Sequence, residues 1–455
     1  MYNIKYNYKV EMKIESKRKT LKKRNQKMVI CGNLISEKGG WTIINIFGEP
    51  YERGFAHGFL LKKDLKRCEK VLKFLLKKEL NMELDDYIQY SVKIVEPILK
   101  THFLELYQEI CGIADGAKKA GANISCEFLI SWNAYISLSS CLKPNNNEKC
   151  SAFIAVGNAT EKGDIIMSHN THSDFAGGQL SNVIIYVTPK EGYPFVMQTS
   201  AGLVSSVTDW FLCSTGIIGC ETTISKINYE PKFGYPYFCR IRMAMQYGKT
   251  FDDYINIMSD GNAGDYACSW LLGDVNNNSI MLFELGLKHK NIEIKKNGVF
   301  YGMNSAIGDE LREKETDDVD HKNITTSVGA RNCRLNDLLN NIYYGKINIE
   351  NGKKVISDHY DVHMNKNVRN NRSICNHCEL DNEYGKRPPF YPYGCTDAKI
   401  VNSEMAKQLG FFGRFGSGCG RTFSVDEFVK KHPQHSDWKK VLNDFKNEKW
   451  VKICK

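Results

Sequence analysis

The chain has 455 residues, 42% hydrophobic and 11% aromatic, with a formal net charge of +10. That composition supplies a substantial interior and excludes a disordered or fibrous protein, and the length fits one large domain or two fused lobes. Much of the positive charge sits in "KRKTLKKRNQK" at 17–27, a solvated tail in its plainest reading, so the rest is not read as a nucleic-acid binder.

Residues 1–40 read as a basic, disordered leader. No window approaches the roughly 18 unbroken apolar residues of a transmembrane helix. The run "MVICGNLI" is short and lies behind the basic stretch, unlike a signal peptide. Sixteen irregularly spaced cysteines suit free, buried thiols in a reducing compartment. Localisation stays open, with the cytoplasm slightly preferred over a secretory or lysosomal route.

After the leader, "WTIINIFGEP" (41–50) predicts a strand closed by a Gly/Pro turn. From "YERGFAHGFLL" to residue 80 the apolar residues recur every three or four positions, which predicts helix. Further helical patterns cover 83–109 and 111–121, "CEFLISWNAYISLSSC" follows, and "LKPNNNEK" (142–149) is the clearest loop. Residues 41–149 thus form a mainly helical N-terminal segment.

Beyond residue 150 the character changes. "SAFIAVG", "DIIMSHN", "NVIIYVTP", "YPFVMQTS", "STGIIGCETTIS", "SWLLGDV" and "SIMLFELG" are short and rich in β-branched residues, with turn residues between them. One helix, "CRIRMAMQYGKTFDDYINIMSD", interrupts them, and helical patterns return at "ARNCRLNDLLNNI" and over 402–413. Helices first and strands later predict a layered α+β protein.

The sequence lacks a G-x-S-x-G elbow, a P-loop and a dinucleotide glycine signature, which removes support for serine-hydrolase and nucleotide-dependent chemistry. "CNHC", with Cys375, His377 and Cys378, invites a zinc reading, but a structural site needs a second ligand pair and only the isolated Cys395 and Cys419 follow. No metal and no cofactor are expected. The pair Cys213 and Cys220, and the triplet His359, Tyr360 and Asp361, read as strand and helix packing.

Cys150 stands where the loop meets the strand "SAFIAVG". It has two readings: a buried packing thiol, or a nucleophile freed by a cut in front of it. In the second, the new α-amino group, with an ordinary pKa of about 7.7–8.0, is the base that a cysteine nucleophile requires.

The segments "GEPYERGFAHGFLL", "EICGIADGAKKAGANIS", "CSAFIAVGNATEKGDIIMSHNTHSDF", "GNAGDYACSWLLGD", "FYGMNSA", "SVGARNCRLNDLL" and "PYGCTDAKI", in this order, bear on that choice. With them the chain resembles the N-terminal-nucleophile (Ntn) hydrolases of the phospholipase B-like and acyl-coenzyme A:6-aminopenicillanate acyltransferase-like group, from about residue 41 onward. The resemblance implies a four-layer α/β/β/α sandwich and a precursor cleaved at Lys149–Cys150. Residues 150–455 would then be a second chain that stays associated with the first.

It further implies that Cys150 attacks an acyl carbonyl, forms a thioester and passes the acyl group to water or an amine. By position, His169 and Asn170 would orient the α-amino group or contact the nucleophile. Asn262 would donate to the oxyanion, a contribution of about 3 kcal/mol, and Arg331 or Arg334 would enter the pocket, with Arg331 slightly preferred. Two departures stand out: relatives carry asparagine where this chain has Cys268, and phospholipase B-like proteins usually enter the secretory route.

The expected substrate is an acyl-bearing small molecule or lipid. Hydrolase, acyltransferase to an amine, and a catalytically silent lipid- or partner-binding fold remain the three functional readings.

Overall fold

The computed structural model describes residues 29–143, 150–318, 320–382 and 387–455. The basic run at 17–27 and the loop 144–149, with Lys149 and the expected cut, lie outside them. Cys31–Lys455 form one folded unit, and among the described residues no helix is long and apolar enough to cross a membrane.

The strands in chain order are β1 (Gly32–Lys38), β2 (Trp41–Gly48), β3 (Cys150–Gly157), β4 (Gly163–Asp174), β5 (Val183–Pro189), β6 (Phe195–Thr199), β7 (Trp210–Cys213), β8 (Ile217–Thr223), β9 (Cys268–Asp274), β10 (Ser279–Leu285), β11 (Lys290–Lys295) and β12 (Gly298–Gly302). They continue with the short pair β13 (Tyr360–Asp361) and β14 (Lys366–Asn367), then β15 (Tyr393–Asn402), β16 (Phe411–Phe415) and β17 (Val451–Ile453). One sheet has nine strands in the order β1-β2-β5-β6-β7-β8-β9-β10-β11, and a second has six, in the order β12-β3-β4-β15-β16-β17. Antiparallel pairing dominates, but β2 runs parallel to β5, with Thr42 opposite Val183 and Gly48 opposite Pro189.

Alternation along each strand explains how the sheets pack. Ala152, Ile154, Val156, Ile165 and Met167 of the six-stranded sheet share one buried cluster with Ile43, Ile184, Val196, Leu212, Ile218, Leu271 and Leu282 of the nine-stranded sheet. The intervening residues of β3 and β4, among them Phe153, Ala155 and Ile166, point the other way. They join Val328, Leu335, Val355 and Ile356 of the helices Ser327–Asp337 and Ile349–Ile356. On the nine-stranded sheet, Phe211 stacks on Tyr254 and Trp270 on Tyr237, at ring-centroid distances of 5.9 and 6.3 Å, which seats the helices Tyr237–Tyr247 and Phe251–Ser259.

Helices Pro50–Leu60 and Leu104–Lys119 touch backbone to backbone. A Cβ at Gly54 would lie 2.0 Å from the Glu109 carbonyl oxygen, and one at Gly116 would lie 2.0 Å from that of Phe55. Only glycine permits this approach. Beside it, Glu109 accepts from Arg53 Nε at 2.7 Å and Arg242 NH2 at 2.9 Å, with all three side chains buried. His57 Nε2 accepts the Gly202 N–H at 2.9 Å.

Burial, with the Arg242 charge adding to it and Glu109 opposing it, pushes His57 down to about 4. A histidine kept neutral in the fold while the unfolded chain takes up a proton weakens the fold as pH drops. Stability is therefore expected to fall between pH 6.5 and about 4, by about 3 kcal/mol from this residue. Denaturant melts across that window should show the loss, and His57→Gln should flatten it.

Several expected boundaries move. The leader does not reach residue 40, because Gly32–Lys38 is an edge strand paired with β2. The helix over 50–80 breaks at Leu61, whose φ of −104° and ψ of 26° leave the helical region, and the break near residue 110 falls at Phe103 instead. The helix expected over 402–413 is only Ser403–Lys407, followed by strand β16.

Candidate active site

Cys150 is the first residue of β3, and the pairing Cys150–Thr171, Ser151–Asn170, Ala152–His169 fixes what surrounds it. Cys150, His169 and Thr171 fall on the sheet–sheet face with Ala152, whereas Ser151 and Asn170 fall on the helix face with Phe153. Cys150 is 3% exposed and lines a cleft of about 1100 Å³. Other walls of the cleft come from Trp132, Tyr135, Leu203, Asp209, Tyr266 and Tyr391.

The peptide groups flanking Cys150 are both held. Its N–H donates to Asn304 Oδ1 at 3.3 Å, and its carbonyl accepts from Arg331 NH1 at 2.7 Å. Arg331 is fully buried; it also donates to Ser151 Oγ at 3.1 Å and from NH2 to Asn304 Oδ1 at 3.0 Å. Asn304 completes the arrangement by donating to the Thr223 carbonyl at 2.9 Å. Its φ is +80°, a left-handed backbone that a non-glycine residue adopts at a cost and that concentrates at working sites.

The electrostatics keep the thiol protonated in the uncut chain. Burial raises Cys150 well above its ordinary range, the carboxylates of Glu221 and Asp209 add to this, and Lys399 opposes it. Tyr266 lies between these acids: its hydroxyl donates to Glu221 Oε1 at 2.7 Å and stands 3.4 Å from Asp209 Oδ2. Tyr237 also donates to Asp209. Lys399 Nζ lies 2.5 Å from Asp397 Oδ1 and donates to Thr171 Oγ1 at 3.0 Å, so a buried ion pair lies next to the residue paired with Cys150.

The expected site residues divide clearly. Arg331 enters the site. Arg334 instead pairs with Asp358 and Asp337 at 2.8 and 3.0 Å, with its guanidinium over Tyr360. His169 sits between the sheets opposite Lys399, held uncharged by burial, Lys399 and His172.

Asn170 does not reach the Cys150 side chain. Its Oδ1 accepts from Ser151 N at 3.0 Å and its Nδ2 donates to the carbonyls of Ile356 and Ile374 at 3.0 and 3.1 Å, so it braces the strand from the far face. Asn262 is corrected outright. Its amide donates to the Gly286 and Leu287 carbonyls and accepts from Gly264 N, a turn assignment that leaves no donor for an oxyanion, and it does not line the cleft.

Asn304, Asp209, Glu221 and Tyr266 went unread in the sequence. "GMNSA" held a signal for Asn304, since asparagine is the non-glycine residue that best tolerates positive φ. Cys213 and Cys220 do lie in strands, Cys213 opposite Phe195 and Cys220 opposite Trp210. "CNHC" was read as lacking a second ligand pair, and His359 as packing; the fold instead brings His359 and Cys419 to Cys375 and His377, without Cys378.

No protein-family model matches the chain. An uncharacterized protein of Archaeoglobus fulgidus is 22% identical over 242 residues, which is 50% of this chain and 40% of that protein, so the chain matches less than half of that relative's length. Among solved structures, a mutant of conjugated bile acid hydrolase from Clostridium perfringens aligns at 8% identity with a TM-score of 0.31, covering 58% of this chain and 89% of that one. A second variant of the same enzyme aligns at 10% identity with a TM-score of 0.26, covering 60% and 82%.

Proposed function

We propose that the chain is a self-processing cysteine Ntn hydrolase of the phospholipase B-like kind, with a four-layer α/β/β/α fold, acting on acyl amide or ester bonds. The observation that carries this reading is the setting of Cys150: first residue of an inner strand, lining a large cleft, with the peptide groups on both sides gripped by Asn304 and Arg331. A packing cysteine needs none of these contacts.

In the processing step the Cys150 thiol attacks the carbonyl carbon of Lys149. The Lys149–Cys150 amide is exchanged for a thioester, and water then releases the Lys149 carboxylate and the free thiol. Cys150 is left with an α-amine whose N–H still faces Asn304 Oδ1, which fixes the direction of its lone pair. In turnover that amine takes the thiol proton, Cys150 Sγ bonds to the substrate acyl carbon, and the leaving amine or alcohol departs with the proton. Water attacks the thioester and restores the thiol. Burial, with Glu221 and Asp209 adding to it, disfavours a free thiolate, which suits removal of the proton as the sulfur attacks.

The apolar and aromatic walls, Trp132, Leu203 and Tyr391 among them, suit an acyl chain. Denaturing electrophoresis with N-terminal sequencing tests the reading. Fragments of 149 and 306 residues, the second starting at Cys150, are expected alongside hydrolysis of N-acyl or O-acyl substrates. An active preparation consisting of one full-length band would refute it.

A further inference from the structure

Away from Cys150, four soft donors converge from three places in the chain. His359 precedes β13, Cys375 and His377 follow β14, and Cys419 lies in the turn after β16. Their ligand atoms all lie within 4.8 Å of one another. His377 Nε2 is 3.3 Å from His359 Nε2, 3.6 Å from Cys375 Sγ and 3.5 Å from Cys419 Sγ.

These separations have a simple geometric meaning. A tetrahedral zinc ion holds imidazole nitrogen at about 2.0–2.1 Å and thiolate sulfur at about 2.3 Å, which sets nitrogen–nitrogen edges of about 3.3 Å and nitrogen–sulfur edges of about 3.5 Å. The three edges at His377 Nε2 fall on or within about 0.1 Å of those values. Two thiols and two imidazoles are also the donor set that favours zinc over the oxygen-seeking cations.

A second observation concerns orientation. Glu379, itself 3% exposed, places Oε1 2.9 Å from His377 Nδ1. The Nδ1–H donates to that carboxylate, so the Nε2 lone pair faces the other three donors, the carboxylate–histidine arrangement that metal-bound imidazoles use. Cys395 lies against Cys375 but outside the group of four: its sulfur accepts the Gly418 N–H at 3.2 Å and donates to the Asp397 carbonyl at 3.3 Å.

We infer that His359, Cys375, His377 and Cys419 form a closed, four-coordinate zinc site that ties the 358–381 segment to the turn after β16. Its consequence reaches the cleft through Ile374, the residue before Cys375. The Ile374 carbonyl accepts from Asn170 Nδ2 and lies 3.1 Å from His172 Nε2, so the metal braces the helix face of β4 behind Cys150.

The test is metal analysis of the full chain, expressed with zinc in the medium and purified without chelator. About one zinc per chain is expected. Exchange for cobalt(II) should give intense tetrahedral d–d bands and thiolate-to-metal charge transfer. Cys375→Ser and Cys419→Ser should each lower the zinc content, while Cys395→Ser keeps it. Should a serine variant not fold, the wild-type stoichiometry and cobalt spectrum still decide the matter. Folded wild-type protein that holds no metal and binds none on titration overturns the assignment. So does recovery of Cys375 and Cys419 as a disulfide, or zinc retained when both are serine. These readouts do not depend on acyl hydrolysis.

Discussion

Cys150→Ala is expected to give a single uncut chain and to lower acyl hydrolysis by at least about 10³-fold, because both steps need the same sulfur. The residue is buried at the head of a strand and the change removes only Sγ, so the fold should survive and circular dichroism should match the parent. Cys150→Ser separates the two events. A hydroxyl at the same position can still attack the preceding peptide, whose N–H is held by Asn304, so slow cutting with poor turnover is expected. Wild-type hydrolysis by the alanine variant would leave Cys150 as a packing residue and favour a binding role for the cleft.

Arg331→Lys should lower both processing and turnover by roughly 10²-fold, the scale of a misplacement near 1 Å at a reacting centre. One planar guanidinium serves Cys150 O, Ser151 Oγ and Asn304 Oδ1 together with Ser327 Oγ, and an ammonium cannot span that fork. Leaving such buried acceptors unpaired also costs about 1–3 kcal/mol of stability. The variant should therefore be assayed well below its melting point. Arg334→Lys and Asn262→Ala are the internal controls. Each sits in a structural contact outside the cleft, so both should keep kcat/KM close to wild type. Equal losses at Arg331 and Arg334 would mean that the helix, and not the guanidinium, is what matters.

Strands built on short, mostly apolar runs, such as β3, β5 and β10, were legible because both their faces are buried. β15 was not, since Asp397 and Lys399 interrupt it, and a charge pair satisfied inside the protein reads in sequence as a surface. β1 hides for a different reason: as an edge strand it carries little apolar content. Cys150 stood out as a thiol where loop meets strand, but its candidate role and that of Arg331 came only with the family resemblance. Asn304 was not legible, because its role depends on a backbone angle and on a partner 154 residues away. The His359–Cys419 donors show the limit of spacing rules: His377 meets them from 18 and 42 residues away, distances that only the folded sheet brings together.

The parallel pairing of β2 with β5 carries a consequence for how a matured protein behaves when it unfolds. β2 precedes the proposed cut and β5 follows it, so scission before Cys150 would turn one ladder of the nine-stranded sheet into a contact between two polypeptides. An uncut precursor would regain its structure by a first-order process that ignores protein concentration. A matured pair, once melted, would have to find its other half by collision, and recovery would become second order and compete with aggregation. Processing would thus leave a protein that is assembled once, as a single chain, and afterwards lasts by the slowness of its unfolding.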